Sequence, residues 1–428
     1  MRLNTFLLQL ALVVSASAQA AQAAEAPDAL PDDLDALSLA DQAPTTPPPA
    51  AQAWRIFVEG AAGRTGTSGS DSNFETKRGS LDLRFDGTVA PGLRAVFSDR
   101  LDLLHNNGAS RARDVNTLRE AYLSWARTDD QILDVGRVNV RHGAAFAYNP
   151  TDWFKEGALR SIVSPDPAVL RENRQGTVVL QGQQLWSAGS ITATFSPRLG
   201  REPNPGTFSL NVGATNPRNR WMLAGSTKFS EKLSSEVLLY GGDDTRTQVG
   251  LNLSGLISDS TVVFGEFSAG KGRSLVAQAL QLNQAQRHQE RAAVGLTYTT
   301  PFNLSLTAEA QYNSAAPDRS QWKALPGLDP SARLRVLGTQ PTLQDLPMRN
   351  ALFFYANWKD LLVRRLDLSA FLRRDSETHS RAQWIEARYR WDRAEVALQW
   401  QLYSGNAGSV YGSVPQRRAV ELALRFFL

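Results

Sequence analysis

From Trp54 to the C-terminus, hydrophobic and polar residues alternate in short segments. Clear examples are "LDLRF" (81–85), "LSLTAEAQY" (304–312), "LDLSAFL" (366–372), "IEARYRW" (385–391), "EVALQWQLY" (395–403) and the terminal "AVELALRFFL". Because successive side chains of a strand point to opposite faces, each segment predicts a strand with one apolar and one polar face. We predict no amphipathic helix in this region, and it contains no apolar stretch of twenty residues. The pattern indicates an all-β protein.

The connections between these segments alternate between long and short. Short ones are "GTVAPG", "RTDDQ", "WSAG", "SEK", "SDS", "TTPFN", "KDLLVR" and "WDR", and longer ones, two of them modest, lie between them. Long connections on one side and short turns on the other are typical of transmembrane barrels with extracellular loops and periplasmic turns. We therefore predict a transmembrane antiparallel β-barrel of about 18 strands (16–18) over residues 54–428.

Aromatic residues support this orientation. Six of them lie beside the short turns, and two more lie at the same end if both termini are periplasmic: Trp125, Trp186, Phe229, Phe302, Trp358 and Trp391, with Trp54 and Phe426. Trp and Tyr favour the membrane–water interface, where barrels carry aromatic girdles. The apolar face of the terminal strand is therefore expected to contact lipid.

The N-terminal region precedes the barrel. Residues 1–23 have a basic residue, a short apolar run and Ala-x-Ala sites, which together predict a secretory signal peptide. Residues 24–53 are rich in Pro, Ala and Asp and predict a flexible periplasmic segment. Within it, "LPDDLDALSL" is interpreted as a solvated acidic linker, with a short helix that docks a periplasmic partner as the alternative.

Composition limits the chemistry. The chain has no cysteine, 46 basic and 42 acidic residues and a net charge of +4, which is too small to make nucleic-acid binding the main function. Only seven basic residues are lysine, and arginine binds carboxylate and phosphate bidentately. The strands place arginines among acids on the predicted polar face, including Arg84, Arg94, Arg100, Arg119, Arg388, Arg390 and Arg425. They predict either a salt-bridge network in the wall or a path for anions.

An enzyme is not expected. The four histidines, His105, His142, His288 and His379, lie far apart in predicted extracellular connections. His142 beside Arg141 is the best candidate for a catalytic group, but no serine or paired carboxylates converge on it in the sequence. "GKGRS" lacks the phosphate-loop spacing, and no His, Asp or Glu cluster has metal-ligand spacing. We predict no cofactor and no metal.

The region from Trp54 to Leu428 resembles Gram-negative outer-membrane porin-type β-barrels. The segment "LREAYLSW…LDVGRVNVRHG…NPTDWF" is similar to stretches in alginate-export-like and related eighteen-strand porin-like families. The resemblance implies location in the outer membrane, contact with lipid and lipopolysaccharide, and recognition of the C-terminal strand by the barrel-assembly machinery. Here the last residue is Leu428 instead of the usual Phe.

The resemblance also implies a function: passive diffusion or export of small polar solutes. It identifies no solute, and the arginine-rich wall makes anions or saccharides the candidate classes. The alternative is the barrel component of a polysaccharide-export or other periplasm-spanning assembly that docks through residues 24–53.

The third long connection, residues 139–176, is called the third loop below. At nearly forty residues it is too long for a plain surface loop. In porins the third loop typically folds inward, and this one resembles that arrangement. Its candidate constriction residues are Arg141, Asp152, Lys155, Glu156, Arg160, Asp166, Arg171, Glu172 and Arg174. They either set the selectivity of a channel or pair with one another to hold the loop against the wall.

Overall fold

The computed structural model describes residues 53–67, 73–107, 113–243 and 245–428. In this part of the chain, eighteen antiparallel strands form one closed sheet, which confirms the predicted barrel. The predicted signal peptide (1–23) and residues 24–52 of the predicted flexible segment, with its candidate docking helix, lie outside the described residues.

The strands follow one another around the ring in chain order, and β1 closes the ring by pairing with β18. They are β1 (Trp54–Thr67), β2 (Asn73–Ala90), β3 (Leu93–Asn106), β4 (Val115–Thr128), β5 (Gln131–Val138), β6 (Thr177–Trp186), β7 (Gly189–Ser196), β8 (Arg220–Ser230), β9 (Leu233–Gly242), β10 (Thr245–Ser258), β11 (Thr261–Gly272), β12 (Arg287–Thr299), β13 (Leu304–Asn313), β14 (Asn350–Trp358), β15 (Leu366–Asp375), β16 (Arg381–Arg390), β17 (Ala394–Ser404) and β18 (Gln416–Phe427). All eight predicted short turns join consecutive strands.

The two faces of the wall differ as the alternation predicts. On β18, Leu422 and Leu424 point outward and are about half exposed, whereas Glu421 and Arg425 point inward and form ion pairs. The aromatic residues beside the short turns are mostly exposed, as in Trp125 and Trp186. The outer surface is therefore an apolar band with an aromatic girdle at the end of the short turns, which is the surface a membrane requires.

The long connections contain helices that the sequence analysis did not predict. They are α1 (Pro167–Glu172), α2 (Val212–Thr215), α3 (Leu275–Ala279), α4 (Arg319–Ala324) and α5 (Pro330–Leu343). Asp329 caps α5 by accepting from the backbone N–H of Ser331, and Pro330 occupies the first turn, where its missing N–H costs nothing. Helix α5 contacts α3 and buries Val336, but its apolar residues do not form a stripe of helical period that would reveal it in the sequence. No helix among the described residues is both long and apolar enough to span a membrane.

The hydrophobic clusters lie between the wall and the long connections. Val140 and Phe154 of the third loop pack against Met222 on β8 and against Leu238 and Tyr240 on β9. A larger cluster joins the third loop to α4, α5 and the inward faces of β11 and β12. The connections thus fill part of the interior, and this determines where a passage can run.

Candidate functional site: the interior of the barrel

A network of ion pairs covers the inward face of the wall where the barrel closes. Glu59 on β1 accepts four hydrogen bonds from three guanidinium groups: those of Arg78 on β2 (3.0 Å), Arg100 on β3 (2.9 Å) and Arg425 on β18 (2.9 and 3.1 Å). Its ionised carboxylate has about four acceptor positions, so all are used. One buried side chain therefore ties the first strand to β18 and to the two strands that follow it.

The network continues in both directions along the wall. Arg425 also contacts Glu395 on β17 (3.4 Å), and Glu395 accepts from Arg388 on β16 (2.7 Å). On the other side, Arg119 on β4 donates to Asp82 on β2 (2.7 Å). Of the two predicted roles for the wall arginines, the contacts of Arg119 and Arg388 are those of a salt-bridge network.

The remaining predicted wall residues lie near the ends of their strands beside the short turns. Arg390 forms an ion pair with Asp367 and approaches Glu395 (3.5 Å). Arg84 lies 3.7 Å from Asp86, which is bound more tightly by Arg94 (2.5 Å). Arg84 and Arg390 each keep about a third of the side chain exposed, so these charges are accessible to water in the interior.

The third loop reaches the side of the barrel opposite its own strands. It leaves β5 and returns to β6, yet the hydroxyl of Tyr355 on β14 donates to Asp166 (2.9 Å). In a ring of eighteen strands, β14 is nine positions from β5 and thus faces it across the interior. Asp166 also caps α1 by accepting from the backbone N–H of Ala168 (2.8 Å). The loop therefore crosses the interior.

Two glutamates on the wall hold the middle of the loop. Glu309 on β13 accepts from the backbone N–H groups of Phe146 (2.9 Å), Ala147 (3.0 Å) and Tyr148 (3.0 Å). Its fourth bond comes from the side-chain amide of Gln311 on the same strand (2.7 Å).

Glu266 on β11 accepts four bonds from the loop. The donors are the N–H of Ala145 (3.1 Å), the side-chain amide of Asn149 (3.3 Å), and both the N–H (2.7 Å) and the hydroxyl (2.8 Å) of Thr151. Glu266 and Glu309 are each 2% exposed, and neither forms an ion pair with a described residue.

Several of the predicted constriction charges are buried with partners. Asp152 forms an ion pair with Arg174 (2.5 Å), and Arg174 also donates to Gln344 (2.8 Å). Glu156 pairs with Arg218 from the β7–β8 connection (2.6 Å). These pairs attach the loop to neighbouring connections.

Lys155 is also buried. Its ammonium group donates to the carbonyl of Asn149 (2.8 Å) and lies over the ring of Tyr148 (5.0 Å). Burial lowers the pKa of Lys155 below its ordinary value, although Asp345 and Asp152 oppose this. Lys155 therefore packs within the loop, where its charge is shielded from the aqueous interior.

Arg160 joins the loop to the wall. Strand β5 pairs with β4 only from Ala121 onward, which leaves the first residues of β4 without a strand partner on that side. The guanidinium of Arg160 donates to the carbonyls of Asn116 (2.6 Å), Ser209 (2.8 Å) and Gly206 (2.9 Å). It therefore binds a carbonyl of β4 that has no partner on β5 and joins the third loop to the β7–β8 connection.

Arg141, Arg171 and Glu172 are the remaining predicted charges of the third loop. Arg141 is exposed and Arg171 is half-buried, and neither forms an ion pair with a described residue. Burial lowers the pKa of Arg171 to about 10, which still leaves it charged at neutral pH. Glu172 contacts Arg55 on β1 (3.3 Å), and both side chains are partly exposed.

A cleft of about 240 Å³ lies beside the loop, between β9, β10 and the β11–β12 connection. Arg218 and Arg291 line it but are paired with Glu156 and with Asp345 (3.0 Å). Lys271 and Arg273 also line it and form no ion pair with a described residue. The cleft therefore has a surplus of positive charge.

His142 has a structural partner. Its Nδ1 atom lies 3.2 Å from Glu236 on β9, and Asn252 on β10 donates to the same carboxylate (2.7 Å). Burial lowers the pKa of His142, but the carboxylate outweighs this and the net pKa is raised above its ordinary value. No group of three or more potential metal ligands is found among the described residues.

Sequence reasoning did not single out Glu59, Glu266, Glu309 or Tyr355. Alternation places Glu59, Glu266 and Glu309 on the polar faces of their strands, but alternation alone cannot separate a carboxylate that binds arginine from one that binds a loop. Finding their partners requires the three-dimensional path of the third loop.

Comparison with known proteins agrees with this architecture. No family model matches the chain, and no curated protein matches it. Among solved structures, the chain is similar to the Acinetobacter baumannii protein OccAB1 (TM-score 0.57, 9% identity, 88% of this chain and 96% of that chain). It is also similar to Pseudomonas aeruginosa OccK5 (OpdH) (TM-score 0.54, 10% identity, 88% and 97%).

A third similar structure is Pseudomonas aeruginosa OccK2 (OpdF), solved in complex with glucuronate (TM-score 0.53, 11% identity, 88% and 97%). At these identities the likeness concerns the fold. Together with the closed ring and the apolar outer band, it assigns the chain the fold of Gram-negative outer-membrane porins and places it in the outer membrane.

Proposed function

We propose that the protein is a passive diffusion channel for small polar solutes in which the third loop forms the constriction. The observation that carries this proposal is the hydrogen bond between Asp166 and Tyr355, because it joins the loop to the opposite wall. A segment held across the interior leaves solutes only the space beside it. The loop is therefore expected to limit both the conductance and the size of the solutes.

The exposure of inward side chains indicates where the passage runs. Glu266 and Glu309, under the loop, are almost fully buried, whereas Arg55, Arg84 and Arg390 each keep about a third of the side chain exposed. At the end of the short turns, the passage is therefore expected beside the wall formed by β15–β18, β1 and β2.

The basic side chains without an ion-pair partner favour anions. Arg141 and Arg171 on the loop, and Lys271 and Arg273 in the cleft, form no ion pair with a described residue. In a confined aqueous path between low-dielectric walls, such charges raise the local concentration of counter-ions. We propose small carboxylates, including sugar acids, as the preferred solutes, and the glucuronate complex of OccK2 is consistent with that chemistry.

Recording in planar bilayers tests the constriction. Replacing residues 145–172 by a short Gly–Ser linker should raise the single-channel conductance several-fold, because the pore area would no longer be limited by the loop. An unchanged conductance in a correctly inserted variant would contradict a constriction formed by this loop.

Reversal potentials in a salt gradient test the anion preference. The double variant Arg141→Ala and Arg171→Ala should lower the preference for chloride over potassium while changing the conductance little. Arg64→Ala is the matched control, because Arg64 is exposed and points outward at the β1–β2 rim. If both variants keep the wild-type reversal potential, these two arginines do not set selectivity.

A further inference from the structure

Three inward-facing carboxylates form a row beneath the third loop. Glu236 on β9 binds His142, Glu309 on β13 binds residues 146–148, and Glu266 on β11 binds residues on either side of these, at 145, 149 and 151. The side-chain amide of Asn252 on β10 donates to Glu236 (2.7 Å), and its oxygen shares the single proton of the Thr151 hydroxyl with Glu266 (3.0 and 2.8 Å). The wall and the loop are thus joined here almost entirely by hydrogen bonds to carboxylate oxygens.

The hydrogen bonds that Glu266 and Glu309 accept require both carboxylates to be ionised. Each carboxylate accepts four hydrogen bonds, two on each oxygen, and seven of these eight bonds come from the third loop. An ionised carboxylate offers about four acceptor positions, whereas the protonated acid has a hydroxyl that is itself a donor. Protonation would therefore direct an O–H toward backbone N–H groups that already point at the same oxygen.

We propose that Glu266 and Glu309 are positioning residues that hold the constriction in place, and that their protonation releases the loop and opens the channel in acid. This inference rests on the proposed channel function and adds regulation to it. Three consecutive N–H groups, those of Phe146, Ala147 and Tyr148, form a cradle around the Glu309 carboxylate. Releasing that one carboxylate removes the partners of all three groups.

The cations around Glu266 and Glu309 do not hold the loop in place of the two carboxylates. The cations that interact electrostatically with the two carboxylates are Lys155 and Arg171 for Glu266 and Arg373 on β15 for Glu309, and none forms an ion pair with these glutamates. Lys155 donates to Asn149, and Arg373 donates to the carbonyl of Ala147 (3.3 Å). Because Lys and Arg side chains are themselves donors, these cations cannot supply acceptors for the loop N–H groups that protonation leaves without a partner.

Two neighbouring contacts respond differently to acid. His142 beside Glu236 gains charge as pH falls, so this contact strengthens and keeps the start of the loop attached. The Tyr148 hydroxyl donates to Asp345 (2.6 Å), whose pKa is lowered by Arg291 and Lys155 despite burial. Asp345 therefore stays ionised to lower pH. The release is therefore expected within residues 145–151, with the side chain of Tyr148 still bound to Asp345.

Single-channel recording between about pH 7.5 and about pH 4, a range that ends near the ordinary pKa of glutamate, tests the proposal. The wild-type conductance should rise several-fold as pH falls. Glu309→Gln and Glu266→Gln replace one carboxylate oxygen by an NH₂ group and so imitate protonation. Both variants should show the open conductance already at pH 7.5 and a flat pH profile.

Glu421→Gln is the matched control, because Glu421 also points into the barrel but pairs with Arg78 and has no bond to the loop. It should keep the rise in conductance on acidification. If the wild type forms no channel at all, the proposed function fails. If it conducts but Glu309→Gln and Glu266→Gln keep the wild-type conductance and pH profile, the channel stands and the role of the two glutamates is wrong.

Thiol labelling gives a readout that is independent of conductance. The chain has no cysteine, and Ala145 is fully buried beside Glu266, so Ala145→Cys is a small change at a protected position. A water-soluble thiol reagent should label this cysteine slowly at pH 7.5 and many times faster when Glu266→Gln is added. Equal labelling rates in the two folded proteins, compared at the same pH, would overturn the release.

Discussion

Glu59 and Glu309 are both buried inward-facing glutamates that accept four hydrogen bonds, but their donors differ. Glu59 is bound by three guanidinium groups from three strands, whereas Glu309 is bound by three backbone N–H groups of the third loop and one side-chain amide. The carboxylate of Glu59 is bound by positively charged groups, whereas that of Glu309 is bound only by neutral donors. The same residue type thus joins strands at one site and holds a segment that crosses the interior at the other.

The largest expected effect is at the closure of the barrel. Glu59→Gln leaves Arg78, Arg100 and Arg425 with one charge partner fewer each. Breaking a buried pair by removing one partner costs about 3–5 kcal/mol. Unfolding by urea in lipid vesicles should show a loss of this size. The control is Glu75→Gln, because the exposed contact of Glu75 with Arg64 (3.5 Å) should contribute about 0–1 kcal/mol. Equal losses for the two variants would mean that the network around Glu59 does not stabilise the closure.

The next largest effect is expected on the lipid-facing side of β18, where the barrel closes. Leu422→Arg places a charge on the lipid face of β18 near the middle of the strand, at a cost of about 2–4 kcal/mol for a position at the bilayer midplane. Reduced insertion into vesicles and a lower urea midpoint should follow. Gln401→Arg on the inward face of β17 is the comparison variant and should be milder, since its charge remains in water. A mild effect at Leu422 would be incompatible with the assigned faces.

The contact between the loop and the far wall should have a smaller and local effect. Tyr355→Phe removes the hydroxyl that donates to Asp166, and a hydrogen bond to a charged group contributes about 1.5–3 kcal/mol. Amide hydrogen exchange in residues 161–172 should accelerate while the urea midpoint of the barrel changes little. Uniformly faster exchange in the strands would instead indicate that the contact supports the whole barrel.

The smallest expected effect depends on pH. Because the folded-state pKa of His142 is raised, the stability from its contact with Glu236 is present below the ordinary pKa of histidine, about 6.5, and is lost as pH rises through the raised value. His142→Gln should therefore cost about 0.5–1.5 kcal/mol at about pH 6 and almost nothing at about pH 9. Urea unfolding at the two pH values checks this, and a deficit that does not change with pH would exclude ionisation of His142 as its cause.

The sequence predicts the wall far better than the interior. Alternation along "AVELALRFFL" places Leu422 and Arg425 on the correct faces, because the period of two is a property of every strand. The third loop could be identified by its length and charge. The partners of Arg160 and Arg174, however, come from segments far away in the chain, and no local pattern encodes them. Helix α5 was missed for the related reason that it lacks a periodic apolar face.

The pairing of β1 with β18 has a consequence for the order of assembly. The N–H of Leu428, directly after β18, donates to the carbonyl of Ile56 near the start of β1 (3.0 Å), so the ring cannot close until β18 has been synthesised. Until then β1 presents an unpaired edge, and unpaired edges promote aggregation. Contacts between such distant residues also form slowly. The newly exported chain must therefore be protected during the interval between its release and the meeting of its two ends.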